Sequence, residues 1–145
     1  MKNPSQTIFY LIERTIKEYR KFAQKQINDK HKNITIDQAL VLFFIIEQPQ
    51  LSQSEIGELI FKDNASISRM VELMIKNGYL LRETNNVDRR KINLTPTTKG
   101  VEIFSDLKKI IAKNREIALQ DISEKEIFQL FQTLNKIFTN CQIKT

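Results

Sequence analysis

The sequence predicts a mainly α-helical fold with one small β-hairpin and long helices at both ends. Three observations predict it. Apolar residues recur at three- and four-residue steps through most of the chain, helix starts are written out as complete capping boxes, and strand-like segments occur only around residues 79–95. The 145 residues fit one ordinary domain or a small domain with helical extensions, and with 41% hydrophobic residues the chain can bury a core.

From Thr7 to Ile27 the residues Ile8, Ile12, Ile16, Tyr19, Ala23 and Ile27 fall on one face of a long amphipathic helix, which therefore has something to pack against. Asn28 to Asn33 is a polar connector. Asp37 to Gln48 reads as a second helix, apolar on nearly every side between Ala39 and Ile46 and ended by Pro49, so it belongs in the middle of the fold. Leu51-Ser52-Gln53-Ser54-Glu55-Ile56 is a full helix start: Ser52 caps, Glu55 returns the capping bond, and Leu51 is placed to staple onto Ile56. That short helix ends around Ile60 to Lys62. Asp63 or Asn64 then caps another, running from about Ala65 to Asn77, with Ile67, Met70 or Val71, and Met74 on its buried side. Gly78 can take the left-handed conformation that ends a helix, and Tyr79 can close onto Met74.

Tyr79 to Thr84 and Lys91 to Thr95 are short strands joined by the polar, strongly charged loop Asn85-Asn86-Val87-Asp88-Arg89-Arg90. Pro96 ends the second strand and Thr97 caps a long helix with Ile103 or Phe104, Leu107, Ile110 or Ile111, Asn114 and Ala118 on one side. It runs to about Leu119. Ile122-Ser123-Glu124-Lys125-Glu126-Ile127 repeats the capping box and staple, launching a last helix with Ile127, Leu130 or Phe131, Leu134, and Ile137 or Phe138 inward.

Helix, helix, short helix, turn, helix, then a hairpin is the order of a winged helix-turn-helix. Such a motif reads duplex DNA by laying its second helix in the major groove. The side of that helix opposite Ile67 and Met74 carries Asn64, Ala65, Ser66, Ser68 and Arg69, with Lys62 just before it. These are short hydrogen-bonding groups, a side chain small enough to meet a thymine methyl, and a guanidinium that can pair with guanine or hold a phosphate. On or beside the hairpin, Arg82, Arg89, Arg90 and Lys91 can press on phosphates or enter a narrow minor groove, and Asp88 can ion-pair with Arg90 and fix its direction. Twenty-three Lys and Arg against 17 Asp and Glu give a net charge of +6, which favours a polyanionic partner. A winged helix turned protein-interaction module, the alternative, would carry a neutral hairpin tip.

Other classes find less support. There is no Gly-rich phosphate loop, nucleophile elbow or metal cluster to suggest an enzyme, a metal site or a cofactor. His31, the only histidine, reads as a solvated loop residue, and the only cysteine, Cys141, as a small buried hydrophobe on the stripe of Leu134 and Phe138. The start Met1-Lys2-Asn3-Pro4 has no apolar signal core, and the longest apolar run, Ala39 to Ile46, is far short of a membrane span, so a soluble protein of a reducing cytoplasm is expected.

The segments Ser66-Ile67-Ser68-Arg69-Met70-Val71, Asn77-Gly78-Tyr79-Leu80, Asp88-Arg89-Arg90 and Pro96-Thr97-Thr98-Lys99-Gly100, in that order and spacing, resemble the multiple antibiotic resistance regulator (MarR) family of bacterial transcription factors. Leu51 to Leu59 likewise resembles that family's first DNA-domain helix. The resemblance spans nearly the whole chain. It implies an obligate homodimer built from the terminal segments 1–34 and 98–145, with two winged domains (residues 35–97) reading near-palindromic double-stranded DNA. It also implies that Arg90 is a minor-groove residue steadied by Asp88. Pro96 departs from the Leu many members carry and should shorten the second strand. Members often sense small aromatic or lipophilic ligands between the dimerisation helices and the DNA domain, where Tyr10, Arg14, Tyr19 and Phe22 line either a ligand cavity or dimer core. The oxidant-sensing branch keeps a cysteine in its first helix, which this chain lacks.

Overall fold

The computed structural model describes residues 3–84 and 92–143. After a 3-10 turn at Pro4–Gln6 the elements are α1 (Ile8–Asn28), α2 (Ile36–Glu47), α3 (Gln53–Leu59), α4 (Asn64–Lys76), β1 (Leu80–Thr84), β2 (Ile92–Pro96), α5 (Thr98–Ala118) and α6 (Glu124–Cys141). The chain divides into two compact units, residues 1–114 and 115–145.

Helix starts follow the side chains that can satisfy free N–H groups. Ser52 and Ser123 each accept from the third helical N–H while Glu55 and Glu126 return the bond, and Asp63, rather than Asn64, caps α4. A further capping box, Thr35 with Gln38, starts α2 one residue before the expected Asp37. It was legible as Thr-x-x-Gln.

The first unit closes around Ile27, Ile34, Val41, Leu42, Ile67, Val71, Met74, Leu80 and Leu107. Val71, fully buried, takes the core position, and Met70 packs beside it. α2 buries Ala39, Val41, Leu42 and Ile45, as its nearly uniform apolar surface requires.

Helices α3 and α4 end alike. At the end of α4 the N–H groups of Gly78 and Tyr79 donate to the carbonyls of Ile75 and Met74, with Gly78 at φ 81°. At the end of α3 the N–H groups of Phe61 and Lys62 donate to Glu58 and Gly57 in the same pattern, so Phe61 takes the left-handed position, at φ 62° and 95% exposed. A residue with a Cβ there costs about 1–2 kcal/mol.

Strands β1 and β2 pair antiparallel with Leu80 opposite Pro96 and Glu83 opposite Asn93. Pro96 therefore does not shorten the strand as expected but ends it within the ladder. The reason is register: the Thr97 N–H donates to the Tyr79 carbonyl at 3.1 Å, which makes Leu80 and Pro96 a non-hydrogen-bonded pair needing no N–H from proline. Thr97 also donates its hydroxyl to the Gly78 carbonyl and accepts the Gly100 N–H, while Lys99 Nζ reaches the Asn77 carbonyl at 2.8 Å. A Cβ on Gly100 would lie 2.2 Å from the Tyr79 carbonyl oxygen, so only glycine lets α5 start this close to the end of α4.

Three expectations of burial are corrected. On α1 only Ala23 and Ile27 of the expected stripe are buried, whereas Ile8, Ile12 and Ile16 are exposed, because the first half of the helix extends past the core. The residues expected to face inward on α6 find no burial in the chain: Leu130, Phe131 and Phe138 are exposed, Ile127 and Ile137 half-buried. Cys141, in the last turn of the same helix, is exposed for the same reason.

Candidate nucleic-acid interface

Burial of Ile67, Val71 and Met74 fixes which side of α4 faces out. At its first two turns Asn64, Ala65 and Arg69 are exposed, and Ser66 and Ser68 half-buried, as the sequence predicts for a reading face. Two residues that sequence reasoning passed over complete it. Gln53 Nε2 donates to the Ser68 hydroxyl oxygen at 2.9 Å, and the Ser54 hydroxyl donates to Asn64 Oδ1 at 3.1 Å. Both lie in the first turn of α3, just past the Ser52 cap, where the turn geometry of the motif brings the second helix near.

These bonds give the face a polarity. With acceptor oxygens of Asn64 and Ser68 engaged from α3, and Ser66 Oγ accepting from Arg69 Nη2 at 3.3 Å while its hydroxyl serves Asp63, the groups left to face a partner are the Asn64 amide N–H, the Ser68 hydroxyl hydrogen and the remaining guanidinium N–H groups. A face of donors suits acceptor edges, guanine N7 and O6 foremost, and phosphate oxygens. Asp63 is the counterweight. The Ser66 backbone N–H, its hydroxyl and the charge of Arg69 hold the Asp63 carboxyl below its ordinary value of 3.8, so it is an anion at the N-terminal end of α4.

The remaining expected DNA-facing residues divide. Lys62 is turned toward Asp37 of α2, at 3.3 Å, and Arg82 toward Glu72 of α4, a contact that braces the base of the hairpin against the helix. Asp88, Arg89, Arg90 and Lys91 lie outside the described residues.

Among the expected ligand-site residues, Tyr10 and Arg14 line a shallow depression of about 280 Å³ on α1 together with Glu13, Lys17 and Glu18. Tyr19 and Phe22 do not line it. A larger groove, about 590 Å³, runs between α1, α2 and α4 past Gln24, Asn28, Gln38, Leu73 and Asn77. His31 is not a solvated loop residue: its ring is half-buried, with Nε2 3.4 Å from Asp106 Oδ2 of α5, because the connector folds back against that helix.

A short helix and a second helix joined by a tight turn, with a hairpin behind them, define a winged helix-turn-helix fold. Residues 32–91 match the MarR family. The chain is 29% identical over 100 residues to the helix-turn-helix transcriptional regulator BilQ of Clostridium symbiosum, covering 67% of this chain and 69% of that one. It is 23% identical over 133 residues to the regulator SarZ of Staphylococcus haemolyticus, covering 92% and 85%. Its fold matches MepR of S. aureus, solved as a complex with DNA, at a TM-score of 0.84 and 20% identity over 97% of this chain and all of that one. BpsR of Bordetella bronchiseptica, whose DNA binding is regulated by 6-hydroxynicotinic acid, matches at 0.83 and 19% over 94% and 96%. Over residues 32–91 the chain is thus similar to the MarR family, and the relatives it matches over longer stretches are named as helix-turn-helix transcriptional regulators.

Proposed function

We propose that the protein is a sequence-specific, double-stranded-DNA-binding repressor that works in the cytoplasm as a homodimer and responds to a small aromatic or lipophilic ligand. The observation that carries the reading is the donor-polarised face of α4, held by Gln53 and Ser54 and backed by a closed core. Asn64, Ala65, Ser66, Ser68 and Arg69 read base edges. On sequence grounds the hairpin residues Arg89, Arg90 and Lys91 hold phosphate, with Arg90, steadied by Asp88, in the minor groove.

The apolar residues left exposed on the first half of α1 and along α6 fit a second copy of the chain. Two reading helices one DNA turn apart would suit half-sites about 10 bp apart. A ligand that fits one spacing of these helices better than another changes DNA affinity by its differential binding. The regulation of BpsR by an aromatic acid makes such acids the first probes. No helix among the described residues is long and apolar enough to cross a membrane, in keeping with this reading.

The test is salt-dependent binding of the purified protein to the DNA upstream of its own gene and to unrelated duplex, with aromatic acids as competitors. Expected are tight binding to the first, weak binding to the second, and release by one acid class. Arg90→Ala should flatten the salt dependence by about one counter-ion, whereas Arg69→Ala should change preference among sequences. Equal, weak binding of both duplexes, repeated with fragments selected from the whole genome, would overturn the reading in favour of an interaction module.

A further inference from the structure

Asp37 stands in the first turn of α2, where the helix dipole favours an anion, and only 15% of its side chain is exposed. Its two oxygens serve different elements. Oδ1 accepts from Arg20 Nη2 of α1 at 2.6 Å, and Oδ2 lies 3.3 Å from Lys62 Nζ in the turn between α3 and α4. Lys62 has little slack. Its backbone N–H is bonded to the Gly57 carbonyl at 2.8 Å, and its neighbour Asp63 caps the reading helix.

We propose that Asp37 is a positioning residue for DNA recognition, tying the N-terminal end of α4 to α1 and turning the Lys62 ammonium away from phosphate. The inference rests on the DNA-binding reading above. A carboxylate this enclosed needs its cations, since losing one leaves a charge poorly paired in a place water reaches weakly. The three-way contact therefore resists displacement of any of its elements. Base readout demands such restraint, because donors on Asn64, Ser68 and Arg69 must meet base edges within a fraction of an ångström. Non-specific binding does not demand it. Lys62, already beside a carboxylate, exchanges one anion for another on meeting phosphate and adds little to counter-ion release.

The experiment uses the full chain, a duplex selected by the wild-type protein from a random pool, an unrelated duplex, and salt titrations of both. Asp37→Asn and Lys62→Met should each lower the ratio of selected to unrelated affinity about tenfold, leaving the salt slope on unrelated DNA unchanged. The double variant should lose no more than either single one, and Asp37→Glu should recover most of the ratio. A salt slope lowered by about one in Lys62→Met, with tighter binding of both duplexes by Asp37→Asn, overturns the proposal and makes Lys62 a phosphate contact restrained by Asp37. Equal loss on both duplexes alongside a lowered melting temperature overturns it in favour of a role in stability alone, and unchanged binding overturns it outright. Selection of no duplex by the wild-type protein is a separate result: it overturns the DNA-binding reading and this inference with it.

Discussion

Helices α3 and α6 begin with the same local signal and end in different surroundings. Each opens on a serine cap whose third residue, a glutamate, returns the bond, yet α3 buries Ile56 and Gly57 and α6 buries no residue. α1 shows both behaviours along one helix: Ala23 and Ile27 at its end are in the core, while Ile8, Phe9 and Leu11 at its start are more than half exposed. Capping and periodicity decide that a segment is helical and which face is apolar. What covers that face is a separate matter. The middle of the chain supplies its own cover, whereas the ends present an apolar surface that water disfavours at about 25 cal/mol for each Å².

The largest effect that would sharpen this comparison is expected in the self-covered region. Leu107 is fully buried, so Leu107→Ala removes apolar contacts and leaves a cavity at a cost of about 2–5 kcal/mol. Chemical denaturation should show that loss at every protein concentration. Phe131, 67% exposed, is the matching probe at the other end. If a second copy covers α6, Phe131→Glu should weaken self-association by about 2 kcal/mol or more, and make a concentration-dependent melting temperature concentration-independent. Sedimentation would show the monomer. An unchanged mass and midpoint would mean that α6 faces water, and the comparison between core and ends would fail.

The sequence made the helices, the hairpin and the outward side of α4 legible because each depends on near neighbours: a cap and its third residue, a glycine past a helix end, a period of three and four. It did not show where long side chains go. Lys62 and Arg82 read as phosphate contacts from their charge and place, but Asp37 and Glu72, reached only through the fold, draw them in. Gln53 and Ser54 were passed over for the converse reason, since their partners Ser68 and Asn64 come near only once the turn at Phe61 is made. Cys141 was misread because a stripe on a helix does not say whether the same chain covers it.

The smallest effect separates the two regions by acid. Asp63 at the start of α4 and Glu126 at the start of α6 are both held below their ordinary values of 3.8 and 4.5, by hydrogen bonds from Ser66 and from Ser123. A carboxyl lowered in the folded state stabilises the fold above its unfolded value, and that contribution disappears as pH falls through its folded value. Both helix starts should therefore weaken on acidification below those ordinary values. Glu126→Gln keeps an acceptor for the Ser123 N–H, 2.8 Å away in the native chain, but removes the titration. Its urea midpoint between pH 5 and pH 3 should fall less steeply than that of the wild type, while Asp63→Asn, with asparagine an equally good cap, should flatten the same limb through α4. If α6 is covered by a second copy, the Glu126 effect should also appear in the acid dependence of self-association, and the Asp63 effect should not. Identical shifts in self-association from both variants would erase the distinction between a region that closes its own core and one that needs another chain.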